Sequence, residues 1–585
     1  MKVKSILTAF LFLISPVAFA QSFQLISTPM PGVNNGGSCW GDYDNDGDLD
    51  LVVNGQKADW NSVTLIYENN NGQFTEVSGD LPALFGGTAR WGDYDNDDDL
   101  DLLVCGMNGS GEGETILCQN VNGTFTAVET PFTGITQGRV LWLDENRDGW
   151  LDVLVAGDTM YNTPAAELYH NNGDGTFSQV DAKIPASLNS SYTVGDFDND
   201  GDDDLFVTGY YENTFASRLL RNDNYGSFSD TQIPFDSVAY GDMIFLDIDK
   251  DMDLDIIYMG NDLTGNYIAR VYRNDGNDTF TKLTSDIEGE WVGQIDAGDF
   301  DNDGDPDLAI TGALCCGEAL TELYTNDGTG HFTPVNSSLP ARSFSQIRFG
   351  DVDNDGDADL LLTGLAEMTT GLPMTQIYRN TMGSNTFGTN NPPDDPQNLN
   401  TQIDLNDVTF SWSPSFDDKT PSAALTYNLY LGNYPSSFHV FAPLANPVSG
   451  FNRVYAIGNV NQDTSWMILD LPAGIYYWSV QAMDHTLSGS EFSPEQSFEI
   501  TYIGVEEALA DAGLIVYPNP ASTFINVKSE TEGELMISDI RGGITGFYNV
   551  LKGTSTISVT TLGSGVYIIR FNTGSKVSQM KLIIE

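Results

Sequence analysis

Seven acidic nonapeptides recur along the first part of the chain, and their spacing constrains the fold more than any other feature. They read DYDNDGDLD from Asp42, DYDNDDDLD from Asp93, DENRDGWLD from Asp144 and DFDNDGDDD from Asp196. DIDKDMDLD from Asp247, DFDNDGDPD from Asp299 and DVDNDGDAD from Asp351 follow. Successive starts lie 51, 51, 52, 51, 52 and 52 residues apart, a period that marks one repeated supersecondary unit. After each nonapeptide comes an apolar run (Leu51-Val52-Val53, Leu102-Leu103-Val104, Leu360-Leu361-Leu362), a variable loop, and a second run ending near a Tyr and an Asn (Tyr67 and Asn69, Tyr169 and Asn171, Tyr272 and Asn274, Tyr324 and Asn326). A Gly-containing turn then leads to a Phe. Such a unit predicts four short antiparallel strands. It is too small to bury its apolar faces alone, and radial packing about an axis solves that problem.

The phase of the repeat says how the ring closes. Phe23, Phe74, Phe125, Phe177, Phe228, Phe280 and Phe332 each lie 19 residues before the next first Asp, and an eighth such Phe, Phe387, runs into a Pro-rich linker. The segment from Phe23 to Pro31 therefore has the sequence of an outer strand with no unit before it. It is expected to pair near Ile377 to Asn380 and complete the seventh unit, leaving no open edge. The fold class is all-β: a seven-bladed β-propeller over 23–387, then a β-sandwich, then a small C-terminal β-sandwich.

These repeats, an acidic nonapeptide followed by an apolar strand in seven copies, resemble the FG-GAP or VCBS repeats of integrin-α-like propellers. The resemblance implies structural cation loops on the face away from the ligand.

Read as D-x-[DN]-x-D-G-x-x-D, each loop offers carboxylates at positions 1, 3, 5 and 9, a carbonyl at position 7, and a turn at the position-6 Gly. Hard oxygen ligands in this pattern suit Ca²⁺, one structural ion per loop and up to seven in all. The candidate ligands are Asp42, Asp44, Asp46, Asp48 and Asp50; Asp93, Asp95, Asp97, Asp99 and Asp101; and Asp144, Asn146, Asp148, Trp150 and Asp152. The fourth and fifth loops offer Asp196, Asp198, Asp200, Asp202 and Asp204, and Asp247, Asp249, Asp251, Asp253 and Asp255. The last two offer Asp299, Asp301, Asp303, Asp305 and Asp307, and Asp351, Asp353, Asp355, Asp357 and Asp359. Asp98 and Met252 replace the position-6 Gly, and Asp tolerates a left-handed backbone better than Met, so the fifth loop is the one expected to be weakest.

Charge points the same way. With 83 acidic and 24 basic residues the net charge is −59, which excludes nucleic acid as a partner. A hydrophobic content of 40% and an aromatic content of 11% exclude disorder. Cations are the first explanation for carboxylates gathered into regular clusters.

Residues 1–20 read as a signal peptide: Lys2 and Lys4, an apolar run from Ile6 to Val17, and an Ala18-Phe19-Ala20 cleavage site. No later stretch is long and apolar enough to predict a transmembrane helix. Residues 388–398 read as a stiff linker. From 399 to 501, runs such as Val408 to Trp412, Thr426 to Leu431 and Ile475 to Met483 alternate as strands do. Leu471-Pro472-Ala473-Gly474-Ile475-Tyr476 is similar to the tyrosine corner of a fibronectin type III domain, which implies Trp412 as the core tryptophan. The 433–465 stretch is longer than such domains need. From 508 to 585, Tyr517-Pro518-Asn519-Pro520, Gly565-Val566-Tyr567 and Lys581-Leu582-Ile583-Ile584-Glu585 resemble the C-terminal sorting domain of type IX secretion substrates in Bacteroidetes. That resemblance implies the type IX machinery as a partner, a cell-surface or released location, and removal of the tag.

No enzyme motif stands out: there is no H-E-x-x-H, no G-x-S-x-G and no Walker-type loop. His170 and His331 fall in polar turns and are expected to face solvent. Trp40, Trp91 and Trp142 are expected in the core. Of five cysteines, Cys105 and Cys118 flank a hairpin and could pair, while the adjacent Cys315 and Cys316 suit free thiols. Three functions stay open: an adhesion or recognition protein, a polysaccharide-binding or polysaccharide-degrading component, and a structural surface or matrix protein. The ligand of the first is an extracellular protein or a glycan. Candidates for its contact are Trp60, Tyr161, Tyr210, Tyr211, Phe215, Trp291 and Phe344, on loops expected opposite the acidic face.

Overall fold

The computed structural model describes residues 23–584 apart from 78, 80, 161–162, 213, 223–225, 315–317, 367–370, 382–390, 405, 455, 470, 501–513, 518, 520, 540–543, 561 and 574–576. The signal peptide, Tyr161, Cys315, Cys316, Phe387 and the start of the linker lie outside the described residues. Every element among the described residues is a strand.

Seven four-stranded antiparallel sheets occupy the repeat region. The first is Ser38–Gly41, Asp50–Gln56, Ser62–Asn70 and Gln73–Glu76, in chain order from the axis outward. Its second strand is buried along almost its whole length because sheets pack against both its faces, which explains the unbroken apolar run after each nonapeptide. The third strand alternates, and the outer strand buries only its Phe. The seventh sheet consists of Ile347–Gly350, Asp359–Leu365 and Pro373–Asn380, and its outer strand is the N-terminal Phe23–Ile26. Phe23 pairs with Asn380 and Ile26 with Ile377, the pairing that the repeat phase predicts. Innermost strands neighbour one another in cyclic order, Ile347–Gly350 lying beside Ser38–Gly41, so the propeller ring is closed.

The core is divided among the seams between sheets. Trp40, Leu51 and Tyr67 pack with Val352, Leu361 and Ile377 across the closing seam. Cys39, Val52 and Ile66 pack with Trp91, Leu102 and Cys118 across the next. A glycine just before the nonapeptide makes these seams fit. A Cβ on Gly41 would lie 2.6 Å from Trp91 and one on Gly92 2.4 Å from Trp142, so the bare backbone gives the next sheet's indole its place. Trp40, Trp91 and Trp142 are core residues. Cys105 and Cys118 do not pair: they pack into seams on opposite faces of their sheet, and both are free buried thiols along with Cys39.

Two three-stranded sheets follow, Gln397–Asp404 with Asp407–Ser413 and Ser465–Ile468, and Thr426–Gly432 with Gly474–Met483 and Gln496–Ile500. Trp412 lies edge-on to Tyr427, while Trp466 and Trp478 are fully buried. Most of this region forms one compact unit with the propeller. A second unit takes Ile403–Asn406, Leu471–Ile475 and Glu499–Glu585. Within it, Leu514–Tyr517, Phe524–Ser529 and Gly553–Ser558 make one sheet, and Gly533–Asp539, Ile544–Val550, Gly565–Asn572 and Val577–Ile584 another. Ile525, Val527, Leu535, Ile569, Phe571 and Leu582 are among the residues that fill the core of this second unit.

Candidate metal centres and ligand face

The acidic loops are built alike. In the first, the N–H groups of Asp46 and Gly47 donate to the two oxygens of Asp42 at 3.0 and 2.9 Å. Asp50 at position 9 is fully buried, and its carboxylate takes the Asn69 N–H at 2.7 Å and the Tyr43 N–H at 3.1 Å. The same pair of bonds recurs at Asp101, Asp152, Asp204, Asp255, Asp307 and Asp359. Position 9 is thus a fold determinant as well as a candidate ligand.

Two loop positions are left-handed. Position 6 has φ between 86° and 93° at its five glycines, 65° at Asp98 and 77° at Met252. Position 4 is also left-handed, from 56° to 61°, which explains its frequent Asn. Asn45 and Asn199 donate across to the Asp98 and Met252 carbonyls of the following loops at 2.9 and 3.0 Å. The fifth loop departs in detail, since Lys250 rather than position 5 donates to Asp247 Oδ1, at 2.8 Å.

Ligand atoms of positions 1, 3 and 9 converge within 4.8 Å of one another in the first, second and fourth loops, and those of positions 1, 3 and 5 in the fifth. At position 3 the Oδ1 atoms of Asp95, Asp198, Asp249, Asp301 and Asp353 are buried and have no hydrogen-bond partner. Burial above all, then crowding by Asp44 and Asp42, pushes Asp50 up to about 9 against the Asn69 N–H that opposes it. Burial likewise raises Asp101, Asp255 and Asp307 to about 9 and Asp93 and Asp299 to about 7. Unpaired buried carboxylate oxygens on a shared centre are what a hard divalent cation would satisfy, so the residues fit Ca²⁺.

The residue before each inter-sheet Asn varies: Glu68, Gln119, His170, Arg221, Arg273, Thr325 and Arg379. Arg221 and Arg379 pair with the position-3 carboxylates of Asp198 and Asp353 at 2.5 and 3.1 Å, and Arg273 lies 4.0 Å from Asp249. His170 does not simply face solvent. It is drawn into the third loop, with Nδ1 3.2 Å from Asp152 and 3.5 Å from Glu145.

The 433–464 stretch lies on the acidic-loop face. The Asp93 N–H donates to the Arg453 carbonyl at 2.8 Å, and Val454 bridges to Gly92. Arg453 is only 2% exposed, and its guanidinium donates to the Gly149 carbonyl of the third loop and to the Pro443 carbonyl. Arg147 of that loop donates back to the Val440 carbonyl at 3.0 Å, and Asn446 and Ser449 bind Asp98, each at 2.9 Å. Periodicity carries no trace of this docking, and sequence reading missed it.

On the opposite ends of the strands, Tyr210 meets Phe215, Phe215 meets Tyr240, and Tyr240 meets Trp291, with centroids 5.9, 6.4 and 6.4 Å apart. Tyr267 stacks on Trp291 at 11°. All five rings are half-buried. Tyr240 and Tyr267 were not among the candidates, although their place just before and at the start of strands of the fifth sheet could have flagged them. Tyr211 lies under Arg218, Trp60 stands alone at 79% exposure, and the half-buried Phe344 gives its carbonyl to the Asn35 N–H.

A closed ring of sheets, each opened by an acidic loop, defines a β-propeller of acidic-loop repeats. The chain carries FG-GAP-like repeats, matched over 42–104, 144–207, 247–310 and 314–362, stretches that contain all seven nonapeptides. It ends in a secretion system C-terminal sorting domain, matched over 515–585, which directs the protein by type IX secretion to the cell surface or outside. No helix of the described residues is long and apolar enough to cross a membrane. No curated protein matches the chain. Solved structures similar to it include the extracellular domain of a one-component system protein from B. thetaiotaomicron, at 10% identity, 97% and 100% coverage of the two chains and a TM-score of 0.27. The extracellular domain of a hybrid two-component system protein from the same organism matches at 10% identity, 93% and 78% coverage and a TM-score of 0.18. Overlap this slight supports no statement about function.

Proposed function

We propose that this is a non-catalytic recognition protein of the cell surface or its surroundings, with Ca²⁺ as a structural clip in the propeller loops. Its ligand is an extracellular protein or glycan that binds the aromatic face. The two three-stranded sheets of 397–500 serve as a fibronectin type III-like cap on the acidic loops. The observation that carries this reading is the division of the two faces. One face is covered by the 433–464 stretch, while the other presents a contiguous run of five half-buried rings, the kind of surface that supplies binding hot spots.

The test is binding of the calcium-loaded secreted chain to glycan arrays and extracellular-matrix proteins, repeated with Tyr240→Ala and Trp291→Ala. Loss of a specific signal in both variants, with melting unchanged, is the expected result. A signal indifferent to both would place recognition elsewhere.

A further inference from the structure

Three of the places where the third acidic loop differs from its six counterparts meet in space. Position 2 is Tyr43, Tyr94, Phe197, Ile248, Phe300 or Val352 in the other loops, all apolar or aromatic, and Glu145 here. Position 3 is Asp in the other six and Asn146 here. The residue before the inter-sheet Asn is a histidine only at His170. The loop thus exchanges a carboxylate for a neutral amide at one ligand position and gains a carboxylate and an imidazole beside it.

Glu145 is 3% exposed, yet its Oε2 has no hydrogen-bond partner. His170 Nδ1 lies 3.5 Å from Glu145 Oε1, 3.2 Å from Asp152 Oδ1 and 2.9 Å from the Asn146 amide nitrogen, and its Nε2 lies 3.8 Å from Asp148. Ligand atoms of Glu145, Asp152 and His170 all fall within 4.8 Å of one another. Two ionised carboxylates and an imidazole lone pair turned on one centre repel unless a cation, or a proton shared between Glu145 and Asp152, lies among them. Calcium takes oxygen ligands and has little use for imidazole. Imidazole with carboxylates suits a borderline first-row ion, for which His and Asp or Glu are ordinary ligands.

We propose that the third loop is a transition-metal site of the zinc class, with His170, Glu145 and Asp152 as its ligands, set among loops that take calcium. This rests on reading the acidic loops as cation sites, and it assigns one of them a different ion. The competing arrangement is a proton shared between the Glu145 and Asp152 carboxyls beside His170, with no metal.

The experiment loads the full secreted chain with Zn²⁺, or with Co²⁺ as a spectroscopic stand-in, and dialyses it against excess Ca²⁺. One equivalent of Zn²⁺ should remain, and Co²⁺ should show ligand-field bands of a nitrogen-containing site. Glu145→Gln should weaken retention by at least about tenfold, the smallest loss expected when a ligand and not merely its support is removed. His170→Arg should abolish it, and this variant should fold because arginine stands at the same place in Arg221, Arg273 and Arg379. No zinc retained by the unaltered chain, or equal retention by His170→Arg, overturns the proposal. The calcium-dependent melting shift of the same samples reads the other loops separately. Its absence in the unaltered chain would defeat the calcium reading and not this one.

Discussion

The side-chain amide of Asn69 donates to the main-chain carbonyl of Val352 at 2.9 Å, tying the first blade to the acidic loop of the seventh. The bond is one of seven. Asn120, Asn171, Asn222, Asn274, Asn326 and Asn380 reach the preceding blade's loop at Tyr43, Tyr94, Glu145, Phe197, Ile248 and Phe300, between 2.8 and 3.2 Å. Each of these asparagines also gives its own N–H to the position-9 Asp of its blade, as Asn69 does to Asp50 at 2.7 Å. Every acidic loop is therefore anchored twice, once within its blade and once from the next. The loops and the ring are one cooperative structure.

Asn69→Ala removes a side chain that also donates to the Leu49 carbonyl and accepts the Gly72 N–H. Three buried backbone groups lose a partner, and the expected cost is about 3 kcal/mol. Asn70→Ala, at the exposed neighbour, should stay within about 0.5 kcal/mol. Urea midpoints of the calcium-loaded chain compare the two, and equal midpoints would deny the ring of bonds any energetic weight.

Arg453→Met keeps the aliphatic stem and removes the charge that the cap buries among Asp144, Asp93 and Asp148. Taking one member from a buried charged set costs about 3 kcal/mol or more. The cap should loosen from the propeller, so limited proteolysis should cut within 433–464 and the melting curve should split. A variant as resistant to protease as the unaltered chain would show that Arg453 is not what holds the cap.

Ring architecture was legible because the nonapeptide recurs with a fixed period and its phase leaves Phe23 without a preceding blade. The loop geometry was legible because turn chemistry and carboxylate spacing are local properties of nine residues. Other features arise only in three dimensions. Position 9 reads as a ligand, and Asp50 also gives both oxygens to backbone N–H groups that fix the loop, a role no spacing shows. His170 reads as a turn residue until the third strand brings it beside Asp152. Tyr240 precedes one strand of the fifth sheet and Tyr267 opens another, and they meet around Trp291 of the sixth. The 433–464 stretch has no repeat and little strand pattern, because a segment shaped to an irregular surface carries no periodic signal.

Without metal, acidity should stabilise this propeller instead of weakening it. Burial first, and neighbouring carboxylates after it, put Asp101 and Asp307 up at about 9, whereas an unfolded Asp titrates near 3.9. The native state then binds more protons than the unfolded chain between those values, so stability is present at low pH and is lost as pH rises from about 4 towards 9. Thermal melts in EDTA should show the melting temperature falling from pH 5 to pH 9. Saturating calcium should flatten or reverse the trend, because the cation and the protons compete for the same oxygens. A metal-free melting temperature that holds steady or climbs across that range would contradict the burial of these carboxylates.

Calcium should stabilise the loops unequally. Extracellular calcium modules have dissociation constants of roughly 10⁻⁴ to 10⁻³ M. At ten times that concentration each independent site adds about 1.4 kcal/mol, and several sites together rival the whole stability of an ordinary domain. In the fourth and seventh loops, however, Arg221 and Arg379 already engage the position-3 carboxylates, and in the fifth Arg273 stands near Asp249. The fifth also holds Met252 at a φ of 77°, a conformation that costs a non-glycine residue about 1–2 kcal/mol. The first loop has Glu68 in the arginine's place; burial first, then Asp46, then Glu68 push the Asp44 carboxyl up, and more negative charge is left to neutralise. Calorimetric titration of the metal-free chain should therefore resolve a tighter class of sites that includes the first loop and a weaker class that includes the fifth. Arg379→Gln should move the seventh loop into the tighter class, and Glu68→Arg should move the first into the weaker. Identical calcium sites unaffected by either substitution would refute the grading, and a melting temperature that does not respond to EDTA would refute the calcium clips themselves.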